Sequence, residues 1–168
     1  MKAKFYIPFL LLIPACTGTN TPMTAIQKEE VKNEATVVVK ELFDNLTTNK
    51  YGNFFSMLDT TSDFVFFITG SVFEYDDFII MATKAFPNIE RQTFEIKFEK
   101  YIVNSPFCFE YFWEGKNCVY FKSGQTNVFE DYLGSYTFRK EKNKWRIVAA
   151  QESIMPERPS NPAEAEQQ

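Results

Sequence analysis

The chain contains no histidine. That removes the one side chain whose unperturbed titration falls near neutral pH, and with it every Ser-His or Cys-His nucleophile pair and the usual nitrogen ligand of zinc. Cysteine is scarce as well, three in 168 residues. The two outside the N-terminal segment, Cys108 and Cys118, cannot complete a structural zinc site without further ligands. Neither a metal nor a cofactor is expected. No apolar run approaches the roughly 20 residues that a membrane-spanning helix needs. A concentrated basic face is also missing. Lys and Arg number 18 against 22 Asp and Glu, and the densest basic stretch, RKEKNKWR from Arg139 to Arg146, is interrupted by Glu141 and centred on a turn. Nucleic acid and an anionic bilayer surface both need such a face, so neither is expected as a partner.

What the N-terminus does have is a short apolar run ending on a cysteine, KFYIPFLLLIPAC, Lys4 to Cys16. Lys2 and Lys4 supply a positive region, Phe5 to Ile13 an apolar one, and Ala15 a small residue at a cleavage position, the three parts of an export signal. Ile13-Pro14-Ala15-Cys16 resembles a lipobox, the site where bacterial lipoproteins are lipidated on cysteine and cut just before it, with Pro14 in place of the usual small or β-branched residue. The resemblance implies a signal peptide over 1–15, a lipidated Cys16 and tether over 16–23, and membrane contact through lipid alone. Acyl chains on the thiol and on the new amino group exceed the two that stable anchoring needs. Thr17 after the cysteine, where aspartate favours the inner membrane, points to the outer membrane and the periplasm. An ordinary signal cut near Ala15, with Cys16 incidental, is the competing reading. Cleavage removes two basic and no acidic residues, leaving a net charge near −6. Residues 155–168, with Pro156, Pro159 and Pro162 among small and polar side chains, read as a disordered tail.

Residues 24–154 remain as one domain. Thr24-Ala-Ile-Gln27 is a capping-box pattern, and Val31, Ala35, Val38, Leu42 and Leu46 then recur at helical spacing. A short second helix is expected over 53–58 and a strand over 63–73, broken near Gly70. Asp76 or Asp77 is expected to cap a third helix, FIIMATKAF, ended by Pro87. Beyond Asn88 the pattern stays β. TFEIKFEKYIV alternates, as does FCFEYFW, which places Phe107, Phe109, Tyr111 and Trp113 on one face. A turn is expected over 114–117, and YLGSYTFRK with KWRIVAAQES forms a final hairpin around Lys142-Asn143. Helices first and long strands after them predict an α+β fold.

The order helix, short helix, strand, the stretch DFVFFITG before the third helix, and the ending GSYTFRKEKNKWRIVAAQES resemble the nuclear transport factor 2-like superfamily, most closely its SnoaL-like branch. The resemblance implies a cone, with three N-terminal-half helices packed on a strongly curved antiparallel sheet and a mostly apolar cavity at the open end. That cavity serves isomerases, cyclases, dehydratases, plain binders and accessory domains alike, so fold decides little about function. Look-alikes often end in Trp, an apolar strand and His-x-Ser. Here Trp145 leads to Gln151, which shares its strand parity and is expected on the cavity side, and glutamine cannot carry a proton at neutral pH. Matching Gly70 to the glycine of ketosteroid-isomerase-like members puts Phe67 where they hold a carboxylate base. No catalytic residue is assigned.

Aromatic residues make up 17% of the chain. Tyr111, Trp113, Tyr136 and Trp145 each combine a large apolar face with one polar handle, the lining expected of a small-molecule pocket, and with Phe67 and Gln151 they form the candidate ligand-binding set. The same residues also suit ordinary core. Glu74, Asp76 and Asp77 are explained by helix capping, and Asp59 and Asp63 by turn chemistry. Glu110 points away from Phe109 and Tyr111. A Cys108–Cys118 disulfide needs a register other than a turn at Gly115-Lys116 gives.

Three functions stay open: a lipid-anchored domain binding an apolar or aromatic small molecule without transforming it, an envelope interaction module, and a SnoaL-like enzyme in which Tyr136 or Asp63 polarises a substrate. Homodimerisation through the sheet face is common in look-alikes and compatible with all three. Metabolic labelling with a palmitate analogue should label the mature protein at Cys16, and a Cys16→Ser variant should lose the label. An unlabelled wild type beside a labelled control lipoprotein overturns the lipobox.

Overall fold

The computed structural model describes residues 22–154 apart from 62 and 69. The export signal, Cys16 with most of its tether, and the proline-rich tail lie outside the described residues. Helix α1 (Ala25–Thr47) opens as expected: the Thr24 hydroxyl accepts from Gln27 N–H at 3.2 Å, and the Gln27 side chain accepts from Thr24 N–H at 2.9 Å. Its buried stripe runs Val31, Ala35, Val38, Val39, Leu42 and Leu46. Helix α2 (Tyr51–Met57) buries Phe54 and Met57. Strands β1 (Val65–Ile68) and β2 (Ser71–Glu74) form a tight hairpin at Gly70, whose φ of +84° suits a residue without Cβ. Helix α3 (Tyr75–Ala85) follows directly. Its cap is Glu74, with no side-chain hydrogen bond, while Asp76 and Asp77 sit inside the first turn, where they complement the helix dipole.

Three long strands, β3 (Ile89–Ser105), β4 (Cys108–Phe121) and β5 (Thr126–Glu141), and the shorter β6 (Lys144–Ile154) complete one six-stranded sheet in the order β2-β1-β6-β5-β4-β3. It is mixed rather than wholly antiparallel, because β1 runs parallel to β6. The expected turn over 114–117 does not exist. β4 passes through it unbroken, with a register shift between Gly115 and Asn117, and the turn comes instead at Gly124, with φ +86°. Glu, Gly, Lys and Asn read as a turn from local composition, but here they continue the strand, and the extra residue at the register shift lies opposite them on β5, between Phe129 and Tyr132. The final hairpin closes at Lys142-Asn143, both with φ above zero, as a two-residue primed turn requires.

That β4 register fixes the cysteines. Cys108 lies beside Arg139 and Cys118 beside Val128, and Cys118 is a buried free thiol, so the two are not bonded to each other. Asp59 is more than a turn residue. Its side chain is 2% exposed and pairs with Arg139 at 2.7 Å, while Asp63 takes the same guanidinium at 3.3 Å. Arg139 thereby clamps the loop before β1 onto β5.

The sheet curls around α1. Phe43, on that helix, meets the edges of Phe94, Tyr111 and Trp113 with centroids 5.0–6.1 Å apart. Trp113 is wedged over Gly134 so closely that a Cβ there would lie 2.0 Å from its Nε1, and a Cβ on Gly115 would lie 2.0 Å from the Glu95 carbonyl oxygen. Gly134→Ala should therefore destabilise the domain by about 1–3 kcal/mol, the usual cost of overpacking a filled core. Urea denaturation checks this, and an unchanged midpoint contradicts the wedge.

Candidate functional site

The inward faces of the sheet and the three helices line a partly open cavity of about 360 Å³. β1 contributes Phe66 and Ile68, with Phe64 just before it, and α3 contributes Phe78 and Met81. These side chains face inward because strand residues alternate, and on β1 the even positions carry the core side. Phe67 therefore points the other way, paired with Gln151 on the outer face and 39% exposed. It is not part of the cavity.

Gln151 is outward for a second reason. Thr137 pairs with Ala149 but Phe138 pairs with Ile147, so Val148 is an extra residue on β6. Side-chain parity changes at this bulge. Trp145 and Ile147 share the inner face before it, and Ala150 and Glu152 occupy that face after it. The parity count from Trp145 to Gln151 is thus off by one, and the residue delivered to the cavity is Glu152.

Glu152 is the cavity's carboxylate. Tyr132 Oη donates to its Oε2 at 2.5 Å and Tyr136 Oη to its Oε1 at 2.5 Å. Burial in apolar surroundings pushes the Glu152 carboxyl above the ordinary value of 4.5, with the two tyrosine hydrogen bonds acting against that rise. Both tyrosines are pushed upward by burial and by the neighbouring carboxylate, so both keep their protons and act as donors. Asn117, buried, lies beside Tyr132 and accepts from Gln92 Nε2 at 3.2 Å. A polar track thus runs Gln92, Asn117, Tyr132, Glu152, Tyr136 along an otherwise apolar wall. No described lining residue is basic.

Of the aromatic candidates, Tyr136 alone reaches the cavity. Tyr111 and Trp113 are fully buried beneath it, where Tyr111 Oη donates to Glu99 at 3.0 Å. Trp145 sits on Phe109, with its N–H donated to Glu34 at 2.8 Å and its edge in a separate surface groove. Phe107 lies exposed at the β3–β4 turn, off the aromatic face. Asp63 is held at Arg139, away from the cavity. Glu110 is outward as expected, accepting from Asn104 at 3.0 Å. Sequence reasoning missed Glu152, Tyr132 and Asn117. Tyr132 had a legible signal, since it shares strand parity with Tyr136. The described residues hold no cluster of three or more metal-ligating side chains.

Because folding raises the Glu152 pKa, its contribution to stability is whole below the ordinary carboxylate range and lost as pH rises through the raised value. A Glu152→Gln variant cannot ionise. Its melting temperature should therefore gain on wild type as pH is raised from about 4 to about 8, levelling once Glu152 is charged. A gap that stays constant across that range contradicts the buried carboxylate.

No protein-family model and no curated protein sequence matches the chain. Solved structures do. A nuclear transport factor 2-like superfamily protein from Salmonella enterica serovar Typhimurium is 13% identical, with a TM-score of 0.66 over 80% of this chain and 98% of its own. The hexachlorocyclohexane dehydrochlorinase LinA-type3 from Novosphingobium barchaimii is 6% identical, with a TM-score of 0.63 over 83% and 96%. The association domain of calcium/calmodulin-dependent protein kinase II from C. elegans is 13% identical, with a TM-score of 0.60 over 77% and 99%. At such identities the likeness is one of fold. With its three helices, curled six-stranded sheet and apolar cavity, the chain has the nuclear transport factor 2-like cone fold.

Proposed function

We propose that the chain is an extracytoplasmic, lipid-anchored domain that binds an apolar or aromatic small molecule in the cone cavity without transforming it. The observation that carries this reading is the cavity itself: about 360 Å³, apolar on nearly all sides, with hydrogen-bonding groups gathered on one wall. Binding sites for small molecules have this composition, many apolar contacts and a few polar groups that fix orientation. The anchor rests on the lipobox pattern at Cys16.

A second reading, an acid–base enzyme, is supported by Glu152. A carboxyl held above its ordinary range in an apolar cavity beside two hydroxyl donors is suited to moving a proton. The interaction reading is supported by apolar side chains on the sheet's outer face, among them Phe67, Phe98 and Val128, with Phe98 55% exposed. A homodimer through that face fits either cavity function.

The test is a thermal-shift screen of the protein against chemically grouped small molecules, with an Ala150→Phe variant that fills the cavity alongside. A true ligand at a hundredfold above its dissociation constant should add about 2.7 kcal/mol of stability to wild type. The filled variant should bind at least tenfold more weakly. Equal affinity in both places the ligand elsewhere, and turnover of the bound class, abolished by Glu152→Gln, replaces the binder reading with the enzyme.

A further inference from the structure

The bond directions around Glu152 restrict what a ligand can offer it. Each tyrosine spends its single proton on the carboxylate, Tyr132 on one oxygen and Tyr136 on the other. With Glu152 ionised, the group turns only acceptors toward the cavity: the remaining lone pairs of the carboxylate and those of the phenol oxygens. Trp113 Nε1 is sealed over Gly134 without a partner, and Trp113 is not among the lining residues. Among the described residues, no lysine or arginine lines the cavity to balance the carboxylate. Its apolar lining includes the rings of Phe64, Phe66 and Phe78, and the face of an aromatic ring attracts a cation electrostatically. An anionic head would meet repulsion from Glu152 and find no charge partner among the described lining residues, whose side-chain donors besides the two tyrosines are the neutral amides of Gln92, Asn117 and Asn127.

We propose that the cavity selects ligands carrying a cationic hydrogen-bond-donor head, an ammonium group of the arylamine-methyl or alkylamine class, on an apolar body, and that Glu152 imposes the choice. This deepens the binding reading and rests on it. The head pairs with Glu152, while the body packs against the phenylalanine walls of β1 and α3. An ion pair in so apolar a site is worth more than on the surface, because little water competes for either charge.

The test uses three probes with one body, naphthylmethylamine, naphthylmethanol and naphthylacetic acid, titrated calorimetrically into the full chain near neutral pH. The amine should bind at least tenfold tighter than the acid, a difference of about 1.4 kcal/mol, with the alcohol between them. Glu152→Gln should bring the amine to within about threefold of the alcohol, a difference of about 0.6 kcal/mol. The wild-type series decides the matter even if that variant fails to fold. An acid that binds as tightly as the amine, or three probes that bind alike, overturns the head-group selectivity and leaves the cavity as a binding site. Absence of binding by all three overturns both.

Discussion

The cone depends on how closely β4 and β5 can approach α1 while bending around it, and that is decided where the Trp113 indole lies across Gly134. Strands of 14 to 17 residues would otherwise extend well past a single helix. Bulges near Lys97, Glu130 and Val148 let them curl, and glycine at 115 and 134 removes the side chains that would hold backbone and ring apart. Trp113 then stacks on Tyr132 with centroids 5.4 Å apart and meets Phe43 and Phe94 edge-on. The wedge therefore places Tyr132, and Tyr132 places one end of Glu152.

The same packing leaves the cavity partly empty. The aromatic side chains below Tyr132 and Tyr136 fill the centre of the cone, with Phe109 stacked on Phe138 at 4.6 Å and closed by Trp145. Toward α3 the walls are also aromatic, but they curve apart, and the space between them is the cavity. Core and site are thus made of one residue type, separated only by depth. A carboxylate at the boundary turns an incidental void into a site with polarity and direction. Arg139, at the other end of β5, holds the loop before β1 through Asp59 and Asp63, and so steadies the strand that supplies Phe66 and Ile68.

Much of the chain was legible before folding. The capping box at Thr24, the apolar stripe of α1, the stop at Pro87 and the primed turn at Lys142-Asn143 are local signals, each satisfied within a few residues. The aromatic alternation of 109, 111 and 113 was local too, and it correctly marked the inner face of β4. That those residues became floor rather than lining was not local. Burial depth depends on which strand lies opposite and which helix covers it, and neither is written in a strand's own alternation.

By itself, then, the sequence determined the elements, their order, the absence of histidine chemistry and the aromatic character of whatever interior would form. The tertiary structure decided which face of each strand became cavity. One extra residue in β6, Val148, moved Gln151 outward and Glu152 inward, while Asn117 kept the inward parity of Phe109, Tyr111 and Trp113 and entered the same wall because β4 runs on unbroken where a turn was expected. A bulge leaves no mark in hydrophobic periodicity beyond a single misplaced residue, because its cause is the curvature of the neighbouring strands. The chemistry of the site follows from that curvature.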